Sequence, residues 1–198
     1  MITMSREECR SYVSELRPQI KTSLLFFAIG MVAGLMIVLR FPQLTDQFGE
    51  NIANFVKIFH GLPRFQLAAA IFFNNATKTL LAIVLGALFG VVPGIFLLAN
   101  GLALGVVFTL ATHTKGFWLT LLGILPHGII ELPAVFLGTS IGLLLGSHAV
   151  KWVRRHPEAA LIVELKRGLR FFCSVIAPLL LIAAVVEAYI TAALLSGF

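Results

Sequence analysis

The chain has 198 residues, of which 59% are hydrophobic and only 12% are charged, with a net charge of +6. Soluble domains are about 45–50% apolar and about 25% charged. A chain with this composition and a mean hydropathy of +0.97 cannot cover its apolar surface with polar groups in water. These values exclude a soluble globular protein and predict an all-α, polytopic membrane helix bundle.

The first 20 residues are polar and have no short apolar core followed by a small-residue cleavage site, so we expect no cleavable signal peptide. The segment from Ser5 to Arg17 has an amphipathic pattern. Ser5 is the expected N-cap, with acidic residues in the first turn, where the helix dipole favours anions. Pro18 is expected to end or bend this helix. We predict that residues 1–20 form a cytoplasmic amphipathic segment.

Five apolar runs are long enough to cross a bilayer as helices. They cover approximately residues 21–39, 67–91, 93–112, 117–147 and 171–195. The fourth run is longer than one straight crossing needs, and Pro126 and Pro133 predict that its helix is broken or kinked. If the second and fourth runs were re-entrant, the number of complete spans would be lower.

Two polar segments separate these runs. Residues 40–66 are predicted to be an extracytoplasmic loop with an amphipathic interfacial helix. Residues 149–170 are predicted to be a basic cytoplasmic amphipathic segment, in which Lys151 to Arg170 form one helix with Pro157 in its first turn. The expected partners of the basic segment are anionic lipid headgroups. Nucleic acid is not an expected partner, because the chain lacks a recognisable reader motif.

The distribution of cations predicts the orientation. When the N-terminal amphipathic segment and the basic segment 149–170 are both placed inside the cell, ten cations lie inside and four outside. This distribution predicts a cytoplasmic N-terminus and an extracytoplasmic C-terminus in the cell membrane. The ten are Arg6, Arg10, Arg17, Lys21, Lys151, Arg154, Arg155, Lys166, Arg167 and Arg170, and the four are Arg40, Lys57, Arg64 and Lys115.

Polar residues inside the apolar runs are the strongest indication of a site, because ionisable groups at bilayer depth are costly. His127 and Glu131 are spaced i to i+4 and share one helix face, as do Asn74 and Lys78. Since the second and fourth spans run parallel, we expect Glu131 to neutralise Lys78. The alternative is that Lys78 extends its amine to the interface. The full candidate cluster is Asn74, Asn75, Lys78, Asn100, His127, Glu131 and Glu187.

The chemistry of this cluster has three interpretations. His127 and Glu131 could be two ligands of a metal, but zinc needs three or four protein ligands and the spacing requires no third one. An interhelical network of hydrogen bonds and ion pairs that fixes packing is favoured, and a proton or ion relay lies between the two. We therefore predict no catalytic residue and no cofactor.

Three sequence elements resemble the stage II sporulation protein M family of integral membrane proteins. They are Phe72-Phe73-Asn74-Asn75, the glycine-rich run through Asn100-Gly101 and Gly105, and the segment from His127 to Ala134. The resemblance covers most of the chain, and the predicted five-span count is similar to that of the family. It implies a membrane scaffold, since the namesake in spore-forming bacteria recruits peptidoglycan-degrading partners to the septum. It assigns no biochemical activity to the polar residues.

The sequence therefore predicts a single integral membrane domain over residues 1–198 that acts as a non-enzymatic scaffold or assembly factor. We expect a homo-oligomer in the lipid bilayer, with membrane or extracytoplasmic protein partners. The main alternative is a small transporter or channel whose polar pathway is the same cluster, with a discontinuity of the fourth span at Pro126. A third alternative is an intramembrane metalloenzyme.

Overall fold

The computed structural model describes residues 3–41, 62–156 and 160–191, and within these ranges the chain is helical and has no strand. The α-helices are α1 (Arg6–Glu15), α2 (Arg17–Arg40), α3 (Arg64–Val84), α4 (Val91–Lys115), α5 (Phe117–Val153), α6 (Leu161–Phe171) and α7 (Ala177–Val185). A 3₁₀ turn at Leu85–Ala87 extends α3. Two π-helical segments, Phe172–Ile176 and Val186–Thr191, make α6 and α7 parts of one continuous C-terminal helix.

In the described part of the chain, five helical stretches are long and apolar enough to cross a membrane, which confirms the predicted all-α, five-span architecture. They are Arg17–Arg40, Arg64–Ala87, Val91–Lys115, Gly128–Val153 and Leu161–Ile190. Ser5 caps α1 as predicted: its hydroxyl accepts from the Glu8 backbone N–H, and the Glu8 carboxylate accepts from the Ser5 N–H. The chain turns directly into α2, whose first turn contains Pro18.

α5 is helical through both Pro126 and Pro133, so the fourth span is not broken at either proline, which was one of the two predicted possibilities. Proline removes one backbone donor, but an unfolded segment in hydrocarbon would leave several polar groups unsatisfied, so continuing the helix costs less. Only Gly128–Val153 has the properties of a span. The preceding Phe117–Pro126 is a shorter apolar stretch of the same helix.

The basic segment also differs from its prediction as one helix. α5 continues to Val153, Arg155 adopts a left-handed φ of 54°, and α6 begins at Leu161. Pro157, which was expected in the first turn of the basic helix, lies outside the described residues. So do residues 42–61, which contain most of the predicted interfacial helix.

Glycines bring α2 and α4 into contact along their backbones. A Cβ atom at Gly30 or Gly34 of α2 would overlap backbone atoms of α4, and one at Gly101 or Gly105 of α4 would overlap the carbonyl groups of α2. The four glycines repeat at i and i+4 on each helix, as close packing of membrane helices requires. This contact fixes α2 and α4 as a rigid pair.

A second glycine contact sets the register between α3 and α5. Gly138 packs against the side chain of Thr79, and Gly142 packs against Ala82 and Gly86. Residue numbers increase in the same direction along both helices, so α3 and α5 are parallel. Near this contact, the buried hydroxyls of Ser23 and Ser140 lie 3.1 Å apart and link α2 to α5.

Candidate functional site

The polar residues of α3 lie on its exposed face. Asn74, Thr77 and Lys78 are exposed, and the Asn74 side-chain amide donates to the Asn75 carbonyl oxygen at 3.2 Å. Thr79, one residue further along, is fully buried against Gly138 of α5. Successive helix residues are turned by about 100°, so the Lys78 side chain leaves the helix away from this contact. We call Asn74, Thr77 and Lys78 the α3 outer stripe.

The outer stripe lies at the depth of the hydrocarbon core. At 1.5 Å per residue, the Lys78 Cα lies about 4 Å along the helix from the midpoint of the Arg64–Ala87 span. A lysine at the centre of a spanning helix costs about 2.5–3.5 kcal/mol on insertion scales. The fold therefore leaves a costly cation on an exposed helix face.

Glu131 lies at a different level from Lys78. Because Gly138 is opposite Thr79, Glu131 lies about 9 Å along the bundle from Lys78, towards the end marked by Arg64. Glu131 is half-buried and makes a polar interaction of its own. Among the described residues, Lys78 makes no hydrogen bond or ion pair, so the structure does not bring the expected Lys78–Glu131 pair together. The His127 side chain lies outside what the structure describes.

Glu187 and Asn100 lie in two further places. Glu187 belongs to the second π-helical segment, two residues before Tyr189, whose ring centre lies 6.0 Å from the Arg64 guanidinium carbon. The half-buried Asn100 donates from its amide to the Phe96 carbonyl of its own helix at 2.7 Å. The structure pairs Asn74 with Asn75 and bonds Asn100 within its own helix, so neither residue joins Lys78 in a hydrogen-bonded cluster.

A metal site would require several ligands at one point. In the described part of the chain, no group of three or more His, Cys, Asp or Glu side chains is arranged to hold a metal ion. Because the His127 side chain lies outside the described part of the chain, the structure does not test the alternative of metal binding at His127 and Glu131.

The contact between α1 and α6 is a polar site that the sequence did not predict. Arg167 donates two hydrogen bonds to the Glu15 carboxylate, one of them at 2.9 Å, and its guanidinium carbon lies 4.3 Å from the centre of the Tyr12 ring. Arg170 lies 3.7 Å from Glu8. Two cations that we assigned to lipid headgroups therefore point to carboxylates of α1. We call these residues the α1–α6 clasp.

The clasp changes the ionisation of its acidic groups. The hydrogen bonds from Arg167 lower the pKa of Glu15, and the backbone N–H of Ser5 lowers the pKa of Glu8. Burial raises the pKa of Tyr12, whose ring is fully buried against Phe171 at 5.3 Å between ring centres. Both carboxylates are therefore ionised at neutral pH and pair with the arginines.

Two grooves flank the clasp. One of about 370 Å³ lies beside α1, α5 and the C-terminal helix, and its lining residues include Cys9, Arg10, Val13, Arg17, Leu137 and Val175. The other, of about 670 Å³, lies over α1 and α6 and is lined by clasp residues together with Met4, Glu7, Ser11, Val163 and Lys166. Their mixture of charged and apolar groups suits an amphipathic partner at the membrane surface.

Comparison with known proteins places this fold in a family. A family model described as Stage II sporulation protein M matches residues 23–192, from the first span to the last. No curated protein and no solved structure matches the chain. The family match confirms the resemblance carried by the Asn74-Asn75 and His127–Ala134 elements. The chain therefore belongs to the stage II sporulation protein M family and is a multi-pass integral membrane protein.

Proposed function

We propose that this protein is a non-enzymatic membrane scaffold or assembly factor. The observation that carries this proposal is the separation of its polar sites. Asn74 and Lys78 lie on an outer face, Asn100 makes a local bond within α4, and Glu187 lies at the Arg64 end of the bundle. A transport pathway needs polar groups that converge along one line, whereas a scaffold presents polar groups outwards to partners.

The backbone contacts between the spans support the same proposal. Gly30 and Gly101 close the α2–α4 contact, and Gly142 closes the contact of α5 with α3. Tight glycine contacts make a rigid bundle with two outward surfaces, the α3 outer stripe and the grooves beside the clasp. In this proposal the bundle holds these surfaces in fixed relation to each other.

The orientation forms part of the proposal. The clasp and the 151–156 segment lie at one end of the bundle, and Arg40, Arg64 and Lys115 mark the other. The excess of cations at the clasp end supports its placement in the cytoplasm, with residue 191 at the extracytoplasmic side. Cations that do not belong to the clasp, such as the exposed Lys166 of α6, are then available to anionic lipid headgroups.

Photo-crosslinking in intact cells tests the scaffold. A photoreactive residue replaces Thr77 on the outer stripe or Ser11 at the larger groove, and Ile182 on the exposed face of α7 serves as the matched control. The scaffold predicts protein adducts of discrete mass from Thr77 or Ser11, and lipid adducts from Ile182. If all three positions give lipid adducts alone, the scaffold proposal is wrong.

One observation favours the transporter as a second candidate. π-helical segments often occur at functional sites, and the second such segment contains Glu187, one of whose carboxylate oxygens is buried. A transporter predicts that Glu187→Gln abolishes a proton or cation flux in proteoliposomes while the protein stays folded. Equal and negligible fluxes for both proteins would exclude this candidate.

A further inference from the structure

We propose that the α3 outer stripe is the docking surface for a transmembrane helix of another protein that carries a carboxylate near the middle of the bilayer. This inference rests on the proposed scaffold function and names the partner chemistry of one surface. Asn74, Thr77 and Lys78 fall at i, i+3 and i+4 and form one ridge. Phe73 and Leu81 flank the ridge and are 65% and 49% exposed.

Extension of the Lys78 amine to the interface does not explain the stripe. Side chains on a helix tilt towards its N-terminus, which for α3 is the Arg64 end, about 21 Å away along the helix. The nearer end, at Ala87, is about 14 Å away and lies against this tilt. A four-carbon stem spans neither distance, so the ammonium stays in the hydrocarbon region when no partner is bound.

The stripe also lies on the helix that is best placed to accept a partner. Among the five candidate spans, Arg64–Ala87 has the smallest buried share. Its inner side, with Ala76, Thr79 and Ile83, already packs against the rest of the bundle. The outer side offers an ammonium, an amide and a hydroxyl flanked by apolar side chains, which matches a helix with one acidic residue in an apolar sequence.

Charge complementarity decides between another protein and a second copy. In a side-by-side pair related by a two-fold axis along the membrane normal, Lys78 would face Lys78 at the same depth, and like charges repel strongly there. Within the described spans, Glu131 and Glu187 lie towards the Arg64 end and not at the level of Lys78. A second copy therefore brings no matching carboxylate to the stripe, whereas a helix of another protein can.

Synthetic transmembrane helices in vesicles provide the test. The probe is a leucine–alanine helix with one central glutamate, and the matched probes carry glutamine or leucine there. Energy transfer is measured to a dye on the exposed Cys173 of the full chain in a Cys9→Ser background. We expect the glutamate probe to bind about three- to thirtyfold more tightly than the leucine probe. Lys78→Met should abolish that preference, whereas Lys115→Met, which removes an exposed cation at the end of α4, should preserve it.

Three results would overturn the inference. The first is equal binding of the glutamate and leucine probes to the unmodified chain. The second is a glutamate preference that survives Lys78→Met. The third is energy transfer between copies of the chain that Asn74→Leu abolishes, because a second copy would then be the occupant. In each case, protein adducts from Ser11 in cells would leave the scaffold function standing, so failure of the two proposals can be distinguished.

Discussion

The α1–α6 clasp and the α3 outer stripe both contain cations at helix surfaces, but the fold treats them in opposite ways. In the clasp, Arg167 donates a hydrogen bond to Glu15 and contacts the Tyr12 ring of the same chain. In the stripe, Lys78 points out of the bundle at bilayer depth and makes no such contact among the described residues. The difference indicates that the clasp serves the stability of this chain, whereas the stripe serves association with another one.

The largest expected effect is a loss of stability from a change on the inner side of α3. This side must be tightly packed if only the outer side is open to a partner. Gly138→Ala places a methyl group against Thr79, and overpacking of this kind costs about 1–3 kcal/mol. Thermal unfolding in detergent measures the loss of stability. Gly128→Ala is the matched control, because its nearest neighbour, an Ile124 methyl group, would lie 3.9 Å away. Equal stability of both variants would mean that the α3–α5 contact is loose.

The clasp gives the next largest effect. Arg167→Met removes the hydrogen bonds to Glu15 and the contact with the Tyr12 ring, and we expect α1 docking to weaken by about 1–2 kcal/mol. Hydrogen exchange of the α1 amides reports this docking directly. Lys166→Met, a change of a neighbouring exposed lysine, should leave the exchange unchanged. Unchanged protection of the α1 amides in Arg167→Met would show that the clasp does not stabilise the docking of α1.

A mutation in the α3 outer stripe should raise the stability of the protein, whereas a mutation in the clasp should lower it. Lys78→Met replaces a cation at bilayer depth with an apolar side chain of similar length, so the isolated protein should become more stable by about 1 kcal/mol. Reversible unfolding in lipid bicelles measures this change. A loss of stability would show that Lys78 has a partner within its own chain, and the contrast between the two regions would disappear.

The smallest effect is the pH dependence of the clasp. The pKa values of Glu8 and Glu15 are lowered in the folded chain, so their stabilisation is complete above their unfolded pKa values and is lost as the pH falls through the folded values. The protection of the α1 amides, measured relative to their intrinsic exchange rates at each pH, should be lost only in acid. In Glu15→Gln the acid-dependent change should be reduced, because only Glu8 then titrates in the contact. A loss of this protection on raising the pH above neutral would contradict the assignment.

These contrasts show which features could be predicted from the sequence. Hydropathy predicted the five spans because every spanning segment must be apolar and must satisfy its own backbone. The N-cap of α1 is also local, so Ser5 and the acidic residues of the first turn predicted it. None of these predictions depends on which helices become neighbours.

The clasp and the direction of the stripe depend on neighbours and were missed. Arg167 and Glu15 are 152 residues apart, and no local pattern joins them. The i to i+4 spacing correctly put Asn74 and Lys78 on one face, but the α3–α5 register turns that face outwards. A signal for this was present: Ala76, Thr79 and Ile83 follow helical spacing and mark the inner side of α3.

The most direct test of the central claim is the lipid accessibility of the outer stripe. A spin label is attached at Thr77→Cys or at the buried Ala76→Cys in a chain whose native cysteines are serines. We predict that collisions with oxygen, which dissolves in lipid, are frequent at residue 77 and rare at residue 76. Collisions at residue 77 should fall when the glutamate probe helix is added. Equally rare collisions at both positions without the probe would mean that the chain covers its own stripe, which would contradict the account.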